Sequence, residues 1–396
     1  MENWRKKLNN WSAVHRPTVP AQEARVTFCV TCYGHSAASH VPSSIKVVSQ
    51  ELTFRQVANG HDSSFALHFW PTQRGKGTHM QAVSLFSGCG GSDSGVMAAG
   101  FEVLMANDIL PYARDVYLAN QPATEFVLGD VKKIRLFPKA DLLIGCYPCQ
   151  GFSQGGLRDP SAGINKLYLE FARALTQIKP KAFIVENVSG LVRANFRHLL
   201  EDQFRVFKEA GYKVKAEVLN ASDFGVAQDR RRIFIVGVRD DVNHEYVFPT
   251  PTHAEEQSDG MKSKLTIREA LKHMRHWPRE DEYYSREFHW YYLSRDRRRG
   301  WDETSKTIVA NPRHMPLHPV SPELEKVQHN EWRFVNDSPA RRFSYREAAR
   351  LQGFHKDFYF PDTTAGSLDM RYKVAGNAVP PPLFEAVARN LPQSMF

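Results

Sequence analysis

The sequence has no long hydrophobic run and very little cysteine. No apolar stretch in its 396 residues approaches the length that crosses a bilayer. The first residues are basic and no apolar region follows them, so we expect no secretory signal and a cytoplasmic location. Five cysteines in a chain of this length do not make a disulfide framework, and we therefore expect reduced thiols.

A complete zinc-binding pattern is also missing. Cys29 and Cys32 are followed by His35 and His40, but this spacing matches no common zinc finger. No second Cys-x-x-Cys pair is free to supply the remaining ligands. We therefore expect no metal site, and we interpret residues 1–79 as an N-terminal extension of unknown role.

Acidic residues are too few to balance the basic ones. The chain has 52 Lys and Arg against 43 Asp and Glu, which leaves a net charge of +9. Basic residues with interleaved aromatic residues are dense in two segments, 286–299 and 341–350. This composition is typical of a groove that contacts phosphates and stacks on bases, so the distribution favours a nucleic-acid partner.

A candidate nucleophile follows a short apolar run. Residues 140–144 read as a buried parallel strand, and Cys149 lies in the small-residue loop after it. Open α/β sheets place their chemistry at the carboxyl ends of such strands. Free cysteine is also among the most buried residue types, so this segment alone leaves a nucleophile and a structural thiol both open.

The segment that begins at Met80 predicts a nucleotide-type cofactor site. Residues 81–86 read as a strand, 87–91 as a tight glycine turn and 92–100 as a helix with a serine or aspartate cap. Two further predicted strands, 101–106 and 125–128, lead to Asp108 and Asp130. In such a site one carboxylate binds the ribose and the other the exocyclic amine, although each can instead be a helix cap.

The remaining alternation predicts the fold class. Helices at 165–178 and 196–211 alternate with strands at 181–185, 212–219 and 232–238. Glu186 ends the first of these strands, and period-two spacing puts Arg230 and Arg232 on one face of the last. We predict an α/β fold with a doubly wound, mainly parallel, Rossmann-like sheet.

Together these residues resemble the cytosine-5 DNA methyltransferases of bacterial restriction–modification type. Five short motifs occur in the order and spacing of that family, from Met80 to the C-terminus. They are Phe86-Ser87-Gly88-Cys89-Gly90-Gly91, Tyr147-Pro148-Cys149-Gln150, Glu186-Asn187-Val188, Gln228-x-Arg230-x-Arg232 and Gly376-Asn377-Ala378-Val379-Pro380. In many members of that family the first motif lies within a few residues of the initiator methionine, and Met80 has this position here. We therefore expect a chain that starts at Met80 to be a complete enzyme, with residues 1–79 as an accessory segment or an over-extended start.

The resemblance implies a reaction and a set of site residues. It implies methyl transfer from S-adenosylmethionine to C5 of a cytosine flipped out of double-stranded DNA, through a covalent adduct. The catalytic residues it implies are Cys149, Glu186, Arg230 and Arg232. The cofactor-binding residues it implies are Phe86, Ser87, Gly88, Cys89, Gly90, Gly91, Asp108, Ile109, Asp130, Val131, Pro148, Asn377 and Val379.

The resemblance also implies a domain division and DNA-reading residues. We expect a catalytic domain at 80–242, a smaller irregular target-recognition domain at 243–365 and a C-terminal segment, 366–396, that returns to the catalytic domain. We further expect a monomer whose functional partner is a cognate restriction endonuclease. The residues expected to contact DNA are Gln150, Ser153, Arg297, Arg299, Thr307 and Arg313.

Three other functions fit part of the sequence. A tRNA cytosine-5 methyltransferase shares the motifs, but that branch usually carries a Cys-Phe-Thr segment, which this chain lacks. A catalytically silent DNA-binding scaffold loses the nucleophile or the motif glutamate, and both are present here. A dinucleotide oxidoreductase explains the glycine turn but not the later motifs.

Overall fold

The computed structural model describes residues 80–148, 166–257, 260–295 and 297–396. Predictions for Cys149, Gln150 and Ser153, and for residues 1–79, lie outside the described residues. No helix in the described ranges is long and apolar enough to cross a membrane.

Seven strands form the central sheet, and two small strand pairs lie outside it. The sheet contains β1 (Met80–Leu85), β2 (Phe101–Asp108), β3 (Glu125–Leu128), β4 (Leu142–Gly145), β5 (Ala182–Val188), β6 (Tyr212–Asn220) and β7 (Arg231–Arg239). The pairs are β8 (His253–Ala254) with β9 (Lys262–Ser263), and β10 (Leu324–Gln328) with β11 (Glu331–Phe334).

Nine α-helices accompany these strands in the described ranges. They are α1 (Gly91–Ala98), α2 (Pro111–Asn120), α3 (Leu167–Ile178), α4 (Arg197–Glu209), α5 (Ile267–Leu271), α6 (Trp290–Leu293), α7 (Tyr345–Leu351), α8 (Leu368–Asn377) and α9 (Pro381–Arg389).

The order of strands in the sheet is β3-β2-β1-β4-β5-β7-β6. The first five strands are parallel, whereas β7 runs antiparallel to both β5 and β6. The predicted fold class, a mainly parallel α/β sheet, is confirmed. The chain moves from β1 towards one edge and then returns to place β4 on the other side of β1. The crevice at this reversal is where such sheets bind ligands.

The core packs against both faces of the sheet. One face carries α1 and α9 through residues such as Val96, Leu383 and Phe384, and the other carries α3 and α4 through Phe171 and Phe207. All four residues of β4 are buried, which agrees with its continuous apolar sequence. The strand that leads to Cys149 therefore lies at the centre of a packed sheet.

The cap predicted for the first helix is wrong. The N-cap of α1 is Gly90, with φ 88°, and no side chain caps it. Glycine is favoured at this position because the left-handed conformation strains residues that carry a Cβ. Ser92 and Asp93, the expected caps, lie inside the first turn and are buried.

Candidate active site

The glycine turn after β1 is held by the end of β2. The Ser87 N–H donates to the Asn107 carbonyl at 3.0 Å, and the Gly88 N–H donates to Asp108 Oδ2 at 2.9 Å. Gly88 has φ 55°, and a Cβ built on it would meet no atom within 4 Å. The turn therefore borders open space at the carboxyl edge of the sheet, as a backbone that approaches a ligand must.

Asp108 has the geometry expected of a ribose ligand. Its Oδ1 accepts the Leu110 N–H at 2.9 Å, so each carboxylate oxygen has one backbone donor and keeps a lone pair for a hydroxyl. Burial raises the pKa of this carboxyl. The neighbouring Ile109 is 64% exposed, which leaves an apolar surface beside Asp108. These residues fit a nucleoside such as that of S-adenosylmethionine.

The Asp130 side chain acts as a helix cap, which is the alternative to a cofactor contact that the sequence left open. Its Oδ1 accepts the Lys132 N–H at 3.0 Å and caps the short 3-10 turn Val131–Lys133. Val131, the first residue of this turn, is buried. The cap fixes the direction of the Asp130 side chain, and a contact with the adenine amine stays a prediction.

The C-terminal motif packs directly on the glycine turn. A Cβ on Gly91 would lie 2.3 Å from the Val379 carbonyl oxygen, so glycine is required for this approach. The Cys89 thiol donates to the Val374 carbonyl at 3.4 Å and is buried, which raises its pKa to about 12. Asn377, at the end of α8, is exposed. Residues 374–379 thus close against the predicted cofactor site.

Glu186 and Arg232 form a buried ion pair at the end of neighbouring strands. Arg232 Nε lies 2.9 Å from Glu186 Oε1, and Glu186 is only 7% exposed. Burial raises the pKa of the Glu186 carboxyl, while the positive charges of Arg232 and Arg230 oppose the rise. A carboxyl in such a position is suited to hold and donate a proton.

Arg230, the residue before β7, connects this strand to two other backbone segments. Its guanidinium donates to the carbonyls of Ile308 at 2.9 Å, Gly376 at 3.2 Å and Ala378 at 3.1 Å. Gln228, two residues earlier, accepts the Ile308 N–H at 2.8 Å. The Gln-x-Arg-x-Arg motif therefore fastens residues 305–308 and the C-terminal motif to the sheet, and Arg232 is its member in contact with Glu186.

The approach to Cys149 is fixed by two amide side chains. Asn187 Nδ2 donates to the Tyr147 carbonyl at 3.2 Å, and the Tyr147 hydroxyl donates to Gln203 Oε1 at 2.5 Å. Pro148, the last described residue before the nucleophile loop, is partly buried. The sequence reasoning missed Gln203, because nothing local in α4 distinguishes it from other polar residues.

The sequence reasoning also assigned no site role to Asp93, which is buried, or to Cys146, which is partly buried. The Asp93 carboxylate accepts hydrogen bonds from the hydroxyls of Ser84 at 2.9 Å, Ser92 at 2.8 Å and Tyr117 at 2.7 Å. Burial raises the pKa of Asp93 to about 6. Burial and the Glu186 charge raise the pKa of Cys146 well above its usual range. Cys146 is therefore a neutral thiol and a poor nucleophile, although it lies near the reacting residues.

The predicted DNA-reading residues have different surroundings. Arg313 is exposed, whereas Arg297 donates to the His314 carbonyl at 3.0 Å and lies over the Tyr292 ring. Arg299 lies 3.6 Å from a Glu303 carboxylate oxygen, and the Thr307 hydroxyl donates to the Asp229 carbonyl at 2.6 Å.

The prediction that residues 341–350 line a groove that contacts phosphates is wrong for the first two arginines of this segment. Arg341 and Arg342 are buried. Arg341 pairs with both carboxylate oxygens of Glu347, at 2.8 and 2.7 Å, and Arg342 lies 4.2 Å from the Phe288 ring centroid. A buried guanidinium needs a counter-ion, carbonyl acceptors or aromatic ring faces. Aromatic neighbours therefore pack against Arg341 and Arg342 within the fold.

The strand order and the antiparallel β7 define a mainly parallel, doubly wound α/β fold. Two solved structures share this fold. The Entamoeba histolytica methyltransferase EhMeth has a TM-score of 0.59 at 16% identity and covers 80% of this chain and 98% of its own. The S. pombe Dnmt2 methyltransferase has a TM-score of 0.56 at 16% identity over 78% of this chain and 96% of its own.

Sequence comparisons identify the family. Residues 80–393 match the family model described as C-5 cytosine-specific DNA methylase. The Type II methyltransferase M.BspRI of Lysinibacillus sphaericus is 36% identical over 80% of this chain and 82% of its own. M.BsuRI of Bacillus subtilis is 35% identical over 78% of each chain. The chain belongs to this family and is a DNA (cytosine-5-)methyltransferase with S-adenosylmethionine as its methyl donor.

Proposed function

We propose that this enzyme methylates one cytosine within a short duplex sequence by way of a covalent Cys149–C6 adduct on a flipped-out base. The observation that carries the proposal is the buried Glu186–Arg232 pair. It lies on β5 and β7, beside the strand β4 that leads to Cys149, and β1 with its glycine turn pairs with β4 on the other side. In this proposal the nucleophile, the acid and the methyl donor meet at the carboxyl ends of these strands.

The chemistry follows from the poor reactivity of cytosine C5. The Cys149 thiolate forms a C–S bond to C6, and the displaced electron pair makes the ring electron-rich. Protonated Glu186 donates its proton to N3 as that charge develops, and it accepts a hydrogen bond from the amino group. S-adenosylmethionine supplies the methyl group to C5. A water molecule then takes the C5 proton, and the C6–S bond breaks to release the Cys149 thiolate. N3 returns its proton to Glu186, which restores the aromatic ring and the starting state of the enzyme.

The two motif arginines have separate roles in this proposal. Arg232 lies beside Glu186. Its guanidinium donates a hydrogen bond to the cytosine O2 and stabilises the negative charge of the adduct. Arg230 acts on the same charge from a position fixed by the three carbonyls that it binds. The target base must leave the helix, because stacking covers the ring faces in a duplex.

The cofactor site is proposed as the family pattern implies. Phe86 lies against the adenine, Asp108 binds the ribose hydroxyls, and Asp130 lies near the adenine amine. Asn377 and Val379 close the site from the C-terminal segment. The open space at Gly88 and the exposed Ile109 support this assignment.

The biological setting belongs to the same proposal. Residues 243–365 read the DNA sequence, with 80–242 as the catalytic domain and 366–396 as the returning segment. The enzyme acts as a monomer on DNA in the bacterial cytoplasm and protects sites of a cognate restriction endonuclease. The Type II methyltransferase names of its relatives support this role.

Bisulfite sequencing tests the proposal. Plasmid DNA is isolated from a methylation-free bacterial host that expresses the chain, beside the same host with Cys149→Ser. We expect unconverted cytosines in one short sequence context, and none with the variant, because a hydroxyl is a much weaker nucleophile than a thiolate. Full conversion with a well-expressed wild-type protein would contradict DNA methylation, and the same protection in the Cys149→Ser host would contradict the adduct.

A further inference from the structure

The proposed target-recognition region, 243–365, presents an aromatic surface that no step of the proposed reaction uses. Trp290 and Tyr291 begin the short helix α6, and their side chains are 58% and 42% exposed. Their rings meet edge to face with centroids 5.8 Å apart. The His289 ring lies 5.5 Å from that of Trp290. Adjacent exposed aromatic side chains indicate a contact surface, since a monomer gains nothing by leaving them in water.

This surface is also basic. The Arg295 guanidinium lies 4.6 Å from the Tyr291 ring centroid and donates to its hydroxyl at 2.7 Å. Arg286 and His289, both exposed, precede the aromatic pair in the chain. We call Trp290, Tyr291 and Arg295 the aromatic platform. Exposed rings beside a cation suit a ligand with flat π faces and negative charge, and nucleic acid has both.

Arg342 holds the platform from its inner side. This buried guanidinium lies 4.2 Å from the Phe288 ring centroid and 4.6 Å from that of Tyr292, and it donates to the Arg286 carbonyl at 2.8 Å. The Tyr292 hydroxyl donates to the Met315 carbonyl at 2.6 Å. Because the inner side of α6 is fixed in this way, the outer rings are already ordered before a ligand binds.

The segment 308–314 lies between the neighbourhood of the platform and the motif arginines. Arg297, two residues after Arg295, donates to the His314 carbonyl at 3.0 Å. Arg230 donates to the Ile308 carbonyl at 2.9 Å. The same short segment thus contacts a residue next to the platform and a member of the Gln-x-Arg-x-Arg motif.

We propose that Trp290 stacks on a DNA base that has lost its stacking neighbour, while Tyr291 and Arg295 support it. This inference rests on the proposed function, because flipping a cytosine breaks the base stack and exposes such a face. Base faces are covered in an intact duplex, so Trp290 adds affinity where the stack is broken. Contacts with phosphates, by contrast, act along the whole duplex.

The experiment measures DNA binding by Trp290→Ala, Trp290→Phe and a matched control, Tyr359→Ala. Tyr359 is another aromatic residue, 52% exposed and outside the platform. The probe is a short labelled duplex that contains the sequence found methylated in the bisulfite experiment, with the target cytosine replaced by an abasic residue. Fluorescence anisotropy gives the affinity at several salt concentrations, and thermal unfolding verifies that each variant is folded.

We expect Trp290→Ala to weaken binding to the abasic duplex about tenfold, or about 1.4 kcal/mol. Trp290→Phe should restore most of the affinity, and Tyr359→Ala should leave it unchanged. The slope of log affinity against log salt should stay at the wild-type value in Trp290→Ala, because no phosphate contact is lost.

Wild-type affinity in Trp290→Ala overturns the proposal, and so does a weaker affinity with a reduced salt slope. Methylation of the same sequence by the wild-type protein distinguishes these outcomes from failure of the proposed function. If the wild type methylates the site and Trp290→Ala binds normally, only the stacking inference is wrong.

Discussion

Among single residues, two buried carboxylate–arginine pairs have different roles. Glu347 uses both oxygens within the fold: Arg341 binds both, and Oε2 also accepts the Ser344 N–H at 2.8 Å. Glu186 contacts Arg232 through Oε1, and it lies at the carboxyl edge of the sheet, where the crevice opens. Glu347 forms part of the cap of α7 and its pairing with Arg341 anchors that helix, whereas the second pair contacts the substrate in the proposed mechanism.

Arg232→Gln should change the pH dependence of methylation. Removing this positive charge lets burial raise the Glu186 pKa further. Protonated Glu186 is the active form in the proposed mechanism, so the rate falls as pH rises through this pKa, and that fall should move to higher pH in the variant. The rate below it should drop about 100-fold, because the base loses a positioning and charge-stabilising contact.

The measurement for Arg232→Gln is kcat against pH. Arg231→Gln is the control, since Arg231 is the exposed neighbour on the opposite face of the strand. A fall in rate that stays at the wild-type pH would show that Glu186 is not the titrating group.

Among helices and strands, close backbone contacts hold the motifs together. A Cβ on Gly376 in α8 would lie 2.3 Å from the Val309 carbonyl oxygen and 2.5 Å from the Ala310 nitrogen. Helix α8 therefore packs against the 305–310 stretch without an intervening side chain. The resemblance identifies this glycine, but only the packing explains it.

Gly376→Ala should destabilise the protein and weaken cofactor binding. The added methyl group collides with backbone rather than with a flexible side chain, so we expect a loss of about 1–3 kcal/mol in the free energy of unfolding. S-adenosylmethionine affinity should fall too, because Asn377 and Val379 follow directly. Urea unfolding and calorimetric titration measure the two effects.

Gly300→Ala is the matched control for that substitution. Its Cβ would meet only the end of the Glu303 side chain, at 3.2 Å, and this side chain can move away. Wild-type stability in Gly376→Ala would mean that α8 can shift away from Val309 without cost.

Across the whole molecule, the described site comes from residues 80–396. The glycine turn, the Glu186–Arg232 pair and the closing motif all lie in this range, which the family model matches from residue 80 to 393. The crevice between β1 and β4 exists because the chain reverses its direction of winding there. The active site is therefore a property of the sheet as a whole rather than of one motif.

A protein that begins at Met80 should methylate plasmid DNA at a rate within about twofold of the full chain, because the family model and the described site residues all lie within 80–396. Radiolabelled methyl incorporation measures the rate, and the same truncated protein with Cys149→Ser supplies the background. Loss of activity in a truncated protein with an unchanged melting temperature would assign a role to residues 1–79.

The order of the elements and the family could be predicted from local sequence patterns. Strand 125–128 has the predicted bounds, because local periodicity and turn residues act over short distances. Strands β2 and β5 extend two or three residues beyond their predicted ends, since pairing with neighbours lengthens them. The predicted fold class and the family resemblance are both confirmed.

Which residues contact each other depends on how distant segments pack. The antiparallel β7 lies between β5 and β6 and so brings Arg232 to Glu186, across 46 positions of sequence. Arg230 differs from Arg232 by two positions, yet it binds carbonyls of Ile308 and the C-terminal motif. Arg341 and Arg342 lie in a segment whose composition is typical of DNA binding, yet both residues are buried. Contacts between distant segments set burial and pairing, and local sequence patterns do not encode those contacts.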